Sequence, residues 1–174
     1  VSIDECFLDM TGTSLLYPDP IAIAHTIKDT IFSELGFTVN VGIAPNKLLA
    51  KMASDFEKPN KVHTLFADEI PQKLWPLPVG ALYSVGRATA NKLTASQIRT
   101  IGDLAKTDLT RVQKIVGIKM GKLIYDYANG MDSSPVLAEP EAVKGYSNSV
   151  TLEEDVTDTA QANKILLALC DSVA

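Results

Sequence analysis

The spacing of hydrophobic and polar positions changes several times along this chain, and each change predicts a new element. Residues 1 to 10 have the apolar, alternating character of a strand that opens a hairpin. Apolar positions at helical spacing follow, between a predicted N-cap at Asp19 and a stop at Gly36. Residues 37 to 43 alternate as a strand, and residues 47 to 56 carry an apolar helical stripe. This first part is therefore predicted to have α/β layering.

The pattern changes near residue 66, after a short strand predicted at residues 62 to 66, to that of short helices with frequent Gly and Pro. Beyond it, residues 82 to 93 have the pattern of a short helix, a Gly-containing hairpin and a second helix. Such a helix-hairpin-helix presents backbone N–H groups at a helix N-terminus to a DNA phosphate. A second, looser copy is predicted at residues 115 to 121. An ordinary helical turn is the alternative interpretation of each hairpin.

The last part of the chain begins with a segment of linker composition, residues 133 to 144. Residues 147 to 152 then alternate as a half-buried strand, and a helix capped by Asp158 follows. Together they predict the first strand and helix of a third domain. The chain opens inside one apolar pattern and stops inside another, so we expect an internal fragment of a longer protein.

Two adjacent carboxylates, Asp4 and Glu5, stand inside the apolar opening strand. Ionised groups are costly to bury without a cationic partner, and carboxylate oxygens are the usual protein ligands of Mg²⁺. Alternation places the two side chains on opposite faces of a strand, so both reach one ion only if the backbone bends between them. The alternative is a surface hairpin with two solvated acids.

Three charged residues of the second predicted helix and its end extend the candidate chemistry. Lys51 and Asp55 are four residues apart and are predicted to pair along the helix. Lys58 lies just beyond the last turn, because Pro59 ends the helix. Compensation of the helix dipole is the alternative explanation for a basic residue at that place.

The net charge of −5 argues at first against a nucleic-acid partner, but the charges are segregated along the 174 residues. Residues 84 to 122 contain eight basic and two acidic side chains, an electrostatic footprint suited to phosphate. Cys6 and Cys170 are far apart and form no CxxC pattern, so neither a disulfide framework nor a zinc site is expected, and a reducing cytoplasm fits best. The apolar runs are too short to span a bilayer, so no membrane partner is expected.

Ordered motifs over essentially the whole chain resemble the Y-family translesion DNA polymerases, in their bacterial UmuC-like or DNA polymerase IV-like branch (the ImpB/MucB/SamB family). Residues 2 to 9 look like the palm motif S-x-D-E of that family. Residues 41 to 51, continued through Lys58, are similar to its second palm signature. Residues 85 to 93 resemble its thumb hairpin, and residues 145 to 155 resemble the opening of its little-finger domain.

The resemblance implies an α+β fold class. Residues 1 to 66 would be the C-terminal part of the palm, α/β layered, with a mostly antiparallel sheet and helices on one face. Residues 67 to 132 would be an all-α thumb with the helix-hairpin-helix, and residues 133 to 144 the linker. Residues 145 to 174 would begin an α+β little finger.

The resemblance also implies roles for individual residues. Asp4 would bridge two Mg²⁺ ions, Glu5 would hold the ion that activates the primer 3' hydroxyl, and Lys58 would contact the incoming triphosphate. Ser2 would shape the turn that lets both acids converge. The residues implied in binding the DNA backbone are Ser84, Val85, Gly86, Arg87, Ala88, Thr89 and Lys92.

The implied activity is that of a magnesium-dependent DNA-directed DNA polymerase, a nucleotidyltransferase that bypasses lesions. Its partners would be primer-template DNA, a dNTP and, for the full-length protein, a sliding clamp. The family also uses a further metal-binding Asp and a fingers domain N-terminal to S-x-D-E, so this fragment alone is expected to be inactive. The alternatives are a non-catalytic DNA-binding module that retains the thumb hairpins and a palm-type nucleotide cyclase, which would have no use for the basic segment.

Two local departures from the family pattern bear on DNA contact. Ser96 and Gln97 precede Ile98, where the family has a Gly before the thumb's Ile. The little-finger opening contains the acidic run of residues 153 to 155, where a strand that grips DNA would favour basic groups.

Overall fold

The computed structural model describes residues 4 to 137 and 145 to 173. The chain folds as two compact units, Val1–Val136 and Leu137–Ala174. The first unit contains both strands and six of the seven α-helices found in the described ranges. The elements of the first unit are α1 (Pro20–Leu35), β1 (Val41–Ile43), α2 (Lys47–Ser54), β2 (Val62–Thr64), α3 (Arg87–Ala95), α4 (Ile101–Lys106), α5 (Leu109–Val116) and α6 (Ile118–Ala128), and the second unit contains α7 (Thr159–Asp171).

Helix α1 begins and ends as its sequence predicts. The side chain of Asp19 accepts hydrogen bonds from the backbone N–H groups of Ile21 and Ala22, at 2.8 and 3.2 Å. At the other end, Gly36 takes a left-handed conformation with φ of 73° and donates its N–H to the Phe32 carbonyl. Because glycine adopts positive φ without steric cost, this residue ends the helix cleanly.

The two strands pair in parallel, with Val41 opposite Val62 and Ile43 opposite Thr64. The prediction of a mostly antiparallel sheet is therefore wrong for the described residues. The reason is the connection, because α2 lies between the strands and a helical crossover returns the chain in the same direction. The strand predicted at residues 37 to 43 is also shorter than expected, since only its last three residues pair.

The opening segment is not the continuous strand that the sequence predicts. From Asp4 to residue 10, the only bridge is an isolated one at Glu5, and Asp4 lies in a turn. The Asp9 carboxylate accepts the Thr11 N–H at 2.9 Å, so a local side-chain turn competes with strand pairing there. The predicted alternation is nevertheless confirmed, since Glu5 and Phe7 are partly buried while their neighbours on both sides are exposed.

One hydrophobic core joins α2 to the helices that follow β2. Its members include the largest fully buried side chains, namely Leu49, Leu65, Leu74, Leu82, Leu93, Ile98, Ile101, Leu104, Ile124, Val79 and Val112. Trp75 packs against this cluster and donates its indole N–H to the Ala128 carbonyl at 3.0 Å. The core therefore fixes α2 relative to the helical part of the unit. The boundaries of palm, thumb, linker and little finger stay predictions.

Helix α2 lies very close to β1 because Gly42 has no side chain. A Cβ atom at Gly42 would lie 2.0 Å from the Ala50 carbonyl oxygen and 2.7 Å from the Ser54 nitrogen. The predicted N-cap is confirmed, since Asn46 Oδ1 accepts the Leu49 N–H at 2.9 Å. The helix ends at Ser54, two residues earlier than predicted. Its place beside β1 therefore depends on the missing Cβ of one glycine.

Short helices follow β2, joined by tight turns. Thr100 and Asp103 form a capping box at the start of α4, in which each side chain accepts a backbone N–H of the other residue. Gln97, which occupies the place of the family's Gly, has a φ of 65°. This left-handed conformation favours glycine, so the side chain of Gln97 adds strain of about 1 kcal/mol to the turn.

The second unit is built on α7. Asp158 caps the helix as predicted and accepts the N–H groups of Ala160 and Gln161. The strand predicted at residues 147 to 152 is wrong, because these residues form no strand. A strand needs a neighbour to pair its backbone groups, and the described part of this unit supplies none. Asn148 instead donates a side-chain hydrogen bond to Ser172 Oγ at 2.7 Å.

Candidate functional site

The predicted acidic pair lies beside α2. Asp4 is exposed in its turn, and Glu5 is partly buried at its bridge. Lys51, on α2, donates a hydrogen bond from its ammonium to Glu5 Oε1 at 2.5 Å. Ser2, predicted to shape the turn, lies outside the described residues. The structure thus brings an acid from the start of the chain to a lysine 46 positions later.

Further ion pairs connect this lysine to the other predicted site residue. Lys51 Nζ lies 3.1 Å from Asp55 Oδ2, which confirms the predicted pair one helical turn apart. Lys58 Nζ lies 2.8 Å from Asp55 Oδ1. Glu5 is therefore connected to Lys58 through two charged residues of α2 and its C-cap. We name the four residues Glu5, Lys51, Asp55 and Lys58 the charge relay.

Both central members of the charge relay are held in their charged forms. Burial disfavours the Lys51 ammonium, but its hydrogen bonds to Glu5 and Asp55 outweigh burial and raise the pKa of Lys51. Burial also disfavours the Asp55 carboxylate, but Lys58 and Lys51 outweigh it and lower the pKa of Asp55. At neutral pH both groups are therefore ionised and attract each other.

The donor set at the acidic pair suits a hard divalent cation. Asp4 and Glu5 supply carboxylate oxygens on consecutive residues, and Glu5 already accepts a cationic group on one of its two oxygens. Across residues 4 to 137 and 145 to 173, no three His, Cys, Asp or Glu side chains come together as a metal site. Among the described residues, Asp4 and Glu5 could therefore supply only part of a Mg²⁺ ligand set, which water or substrate phosphate oxygens would complete.

The first predicted hairpin closes in a tight turn that leads into α3. Ser84 takes a left-handed φ of 70°, and Val85 donates its N–H to the Leu82 carbonyl at 2.9 Å, which closes the turn. Gly86 is the N-cap of α3, and no side chain caps this helix. The N–H groups of the first helical turn therefore remain available for an anion.

The predicted DNA-contacting side chains differ in exposure. Ser84, Gly86, Arg87, Ala88 and Lys92 are exposed, and Thr89 is half-buried. Val85 is different, because its side chain is 7% exposed and belongs to the core. Only its backbone could therefore face a ligand. Within the part of the chain that the structure describes, Arg87 and Lys92 form no ion pair, which leaves their charges available to phosphate.

The second predicted hairpin repeats the arrangement between α5 and α6. Gly117 has a φ of 93° and is the N-cap of α6, again without a side-chain cap. Close packing of the two helices requires Gly121, where a Cβ would lie 2.7 Å from the Gln113 Cα. Ile118 is 75% exposed at the tip. Both hairpins thus present uncapped helix N-termini within the basic segment.

Sequence reasoning missed several long-range connections to α2. It predicted the pairing of Lys51 with Asp55 but not with Glu5, because no local spacing relates residues so far apart. It also missed Asp132, whose carboxylate accepts the Leu48 N–H at 3.1 Å. Asn46 donates its side-chain amide to the Gly130 carbonyl at 2.9 Å. These bonds attach the segment after α6 to the start of α2.

Comparison with known families matches both parts of the first unit. Residues 1–55 match the impB/mucB/samB family, and residues 80–132 match a family described as DNA polymerase-iota, thumb domain. The first match contains the acidic pair and Lys51, and the second contains both hairpins.

Curated proteins of several bacteria resemble nearly the whole chain. The DNA polymerase IV of Clostridium acetobutylicum is 46% identical over 172 residues, which cover 99% of this chain and 43% of the relative. The DNA polymerase IV of Clostridium kluyveri is 43% identical over 173 residues, with coverage of 99% and 43%. The chain thus spans less than half of the length of the curated relatives it matches.

Solved structures agree with these relatives. A Y-family DNA polymerase chimera of Dbh and Dpo4 matches with a TM-score of 0.76 and 26% identity, over 95% of this chain and 48% of the other. An insertion ternary complex of Dbh DNA polymerase matches with a TM-score of 0.65 and 29% identity, over 74% and 38%. On its motifs, its sequence relatives and its fold, the chain belongs to the Y-family DNA polymerases.

Proposed function

We propose that this chain is part of a magnesium-dependent DNA polymerase that adds dNTPs to a primer 3' end opposite damaged template. The observation that carries the proposal is the charge relay, which connects Glu5 of the acidic pair to Lys58 along one helix. A nucleotidyl-transfer site needs metal-binding carboxylates and a cation for the triphosphate close together. The relay supplies both kinds of group.

Each residue has a proposed task in the reaction. Asp4 and Glu5 would hold Mg²⁺, which when bound stabilises the developing charge and aligns the attacking 3' oxygen. Lys58 is 59% exposed and carries an ammonium group suited to the oxygens of a triphosphate. The chain alone is not expected to incorporate nucleotides, because the family resemblance places a further metal-binding Asp and the fingers outside these residues.

The two hairpins would bind the DNA backbone without reading its sequence. Backbone N–H groups at the start of α3 and the charges of Arg87 and Lys92 suit phosphate oxygens.

None of the helices in the described ranges combines the length and the apolar character needed to cross a membrane. A cytoplasmic location and, for the full-length protein, a sliding-clamp partner complete the proposal.

A primer-extension assay tests the proposed activity. The full-length polymerase that carries these residues is given dNTPs and Mg²⁺ on an undamaged primer-template and on one with an abasic site. Extension on both templates is expected, with none when EDTA removes the metal. Tight DNA binding without extension on either template would contradict the proposal and favour the alternative of a non-catalytic DNA-binding module.

Replacing Arg87 with alanine is expected to weaken DNA binding about equally on all sequences, by roughly three- to tenfold. The slope of log affinity against log salt should fall by about one, because one phosphate contact is lost. Fluorescence anisotropy with labelled duplexes of two sequences measures both quantities. Lys61→Ala is the matched control, because Lys61 is exposed, pairs with Glu57 and lies outside the hairpins. Equal effects of the two variants would contradict the hairpin assignment.

A further inference from the structure

We propose that Lys51 and Asp55 are positioning residues that set the distance between the metal end and the triphosphate end of the site. Lys51 would hold the carboxylate of Glu5, and Asp55 would hold the ammonium of Lys58. The inference rests on the proposed function and adds two residues to it, neither of which needs to touch metal or nucleotide.

The contacts assign each residue to one end. Lys51 lies 2.5 Å from Glu5 Oε1 and 3.1 Å from Asp55 Oδ2. Asp55 uses its other oxygen, Oδ1, for Lys58 at 2.8 Å. Each inner residue therefore binds one outer residue and the other inner residue at the same time. Three consecutive ion pairs therefore join the two ends of the site.

Lys51 is the most buried of the four side chains, whereas the other inner residue, Asp55, is 41% exposed. Lys51 is only 17% exposed, whereas Glu5 is 35% and Lys58 is 59% exposed. A partly buried ammonium is less screened by salt than an exposed one, so its hold on two carboxylates is stronger than that of a surface pair. The exposed end of Lys58 remains able to meet a substrate.

Helix α2 is a fixed platform for the inner pair. Leu48, Leu49, Met52 and Ala53 bury its other face in the core. The close contact with Gly42 and the bonds at its N-terminus hold both the position and the start of the helix. Because α2 is held in place, Lys51 and Asp55 can fix the positions of Glu5 and Lys58 relative to this helix.

The contacts leave Glu5 able to bind a metal ion and Lys58 able to bind a triphosphate. Lys51 holds one oxygen of Glu5, and a carboxylate has a second oxygen for a metal ion. Partners that orient metal ligands in this way commonly change metal affinity or activity by about 10- to 100-fold when removed. Loss of Lys51 should therefore weaken the binding of Mg²⁺, and loss of Asp55 should chiefly weaken the binding of the nucleotide.

Steady-state kinetics of single-nucleotide incorporation by the full-length polymerase test this division. Lys51→Met keeps the length of the side chain but removes its charge, and we expect the Mg²⁺ concentration for half-maximal rate to rise about tenfold or more. Asp55→Asn keeps the shape of the side chain, and we expect KM for dNTP to rise about tenfold with a smaller change in the Mg²⁺ requirement. Lys51→Arg should restore much of the Mg²⁺ response. Lys61→Met is the matched control and should leave both values unchanged.

The outcomes separate this inference from the proposed function. If the wild-type protein extends primers but both variants match it, or both raise the two values equally, the positioning role is wrong and the polymerase proposal stands. If the wild-type protein extends no primer, the proposed function fails and the inference fails with it. Should Lys51→Met not fold, the more exposed Asp55→Asn still decides, since an unchanged KM for dNTP would overturn the proposal.

Discussion

Replacing Asp4 with alanine is expected to abolish nucleotide incorporation by the full-length polymerase while leaving its affinity for primer-template DNA unchanged. Asp4 is proposed to bridge two metal ions, and it is exposed in a turn rather than packed in the core. Its removal should therefore cost chemistry and not folding. Loss of a bridging ligand is expected to reduce the rate of incorporation by about a thousandfold or more.

Primer extension and anisotropy on the same preparations measure the two properties of Asp4→Ala. Asp9→Ala is the matched control, because Asp9 is an exposed acid of the same segment that accepts the Thr11 N–H. It should retain incorporation within about threefold of wild type, as expected for a surface residue away from the chemistry. Normal incorporation by Asp4→Ala would refute its assignment as a metal ligand.

Replacing Gly42 with alanine is expected to destabilise the 174-residue chain by roughly 3 kcal/mol or more. The new Cβ would lie 2.0 Å from the Ala50 carbonyl oxygen, so α2 would have to move away from β1. Backbone atoms of a packed helix cannot turn aside as a flexible side chain can. Because α2 carries Lys51, the same change should also disturb the site.

Urea unfolding followed by circular dichroism measures this free energy for Gly42→Ala. Gly86→Ala is the matched control, since its Cβ would meet nothing within 4 Å and its φ is −74°. As an exposed N-cap it should lose at most about 1 kcal/mol. If the two variants were equally stable, the close approach of α2 to β1 would not be a determinant of this fold.

Local chemistry explains which elements were predictable. The caps of Asp19, Asn46 and Asp158 and the stop at Gly36 are all found, because each depends on a hydrogen bond or a φ angle within a few residues. The Lys51 and Asp55 pair is found for the same reason, since helical spacing brings them together. Short-range signals of this kind need no knowledge of the tertiary fold.

Contacts between distant residues explain what was missed. Strand pairing depends on neighbours, so residues 4 to 10 and 147 to 152 do not form the continuous strands that alternation predicted. The parallel sheet follows from the α2 crossover, which the strand patterns do not encode. The bond between Glu5 and Lys51 joins residues 46 positions apart, and no sequence period predicts it. Of the three ion pairs in the charge relay, only that of Lys51 with Asp55 was predicted, and the other two were visible only in the structure.

A crystal structure of the full-length polymerase with primer-template DNA, a dNTP and Mg²⁺ tests the central claim most directly. We expect oxygens of Asp4 and Glu5 at about 2.0 to 2.1 Å from Mg²⁺, with Lys58 Nζ on the triphosphate. A productive complex in which the metal is held elsewhere and both carboxylates contact only protein or solvent would contradict the account.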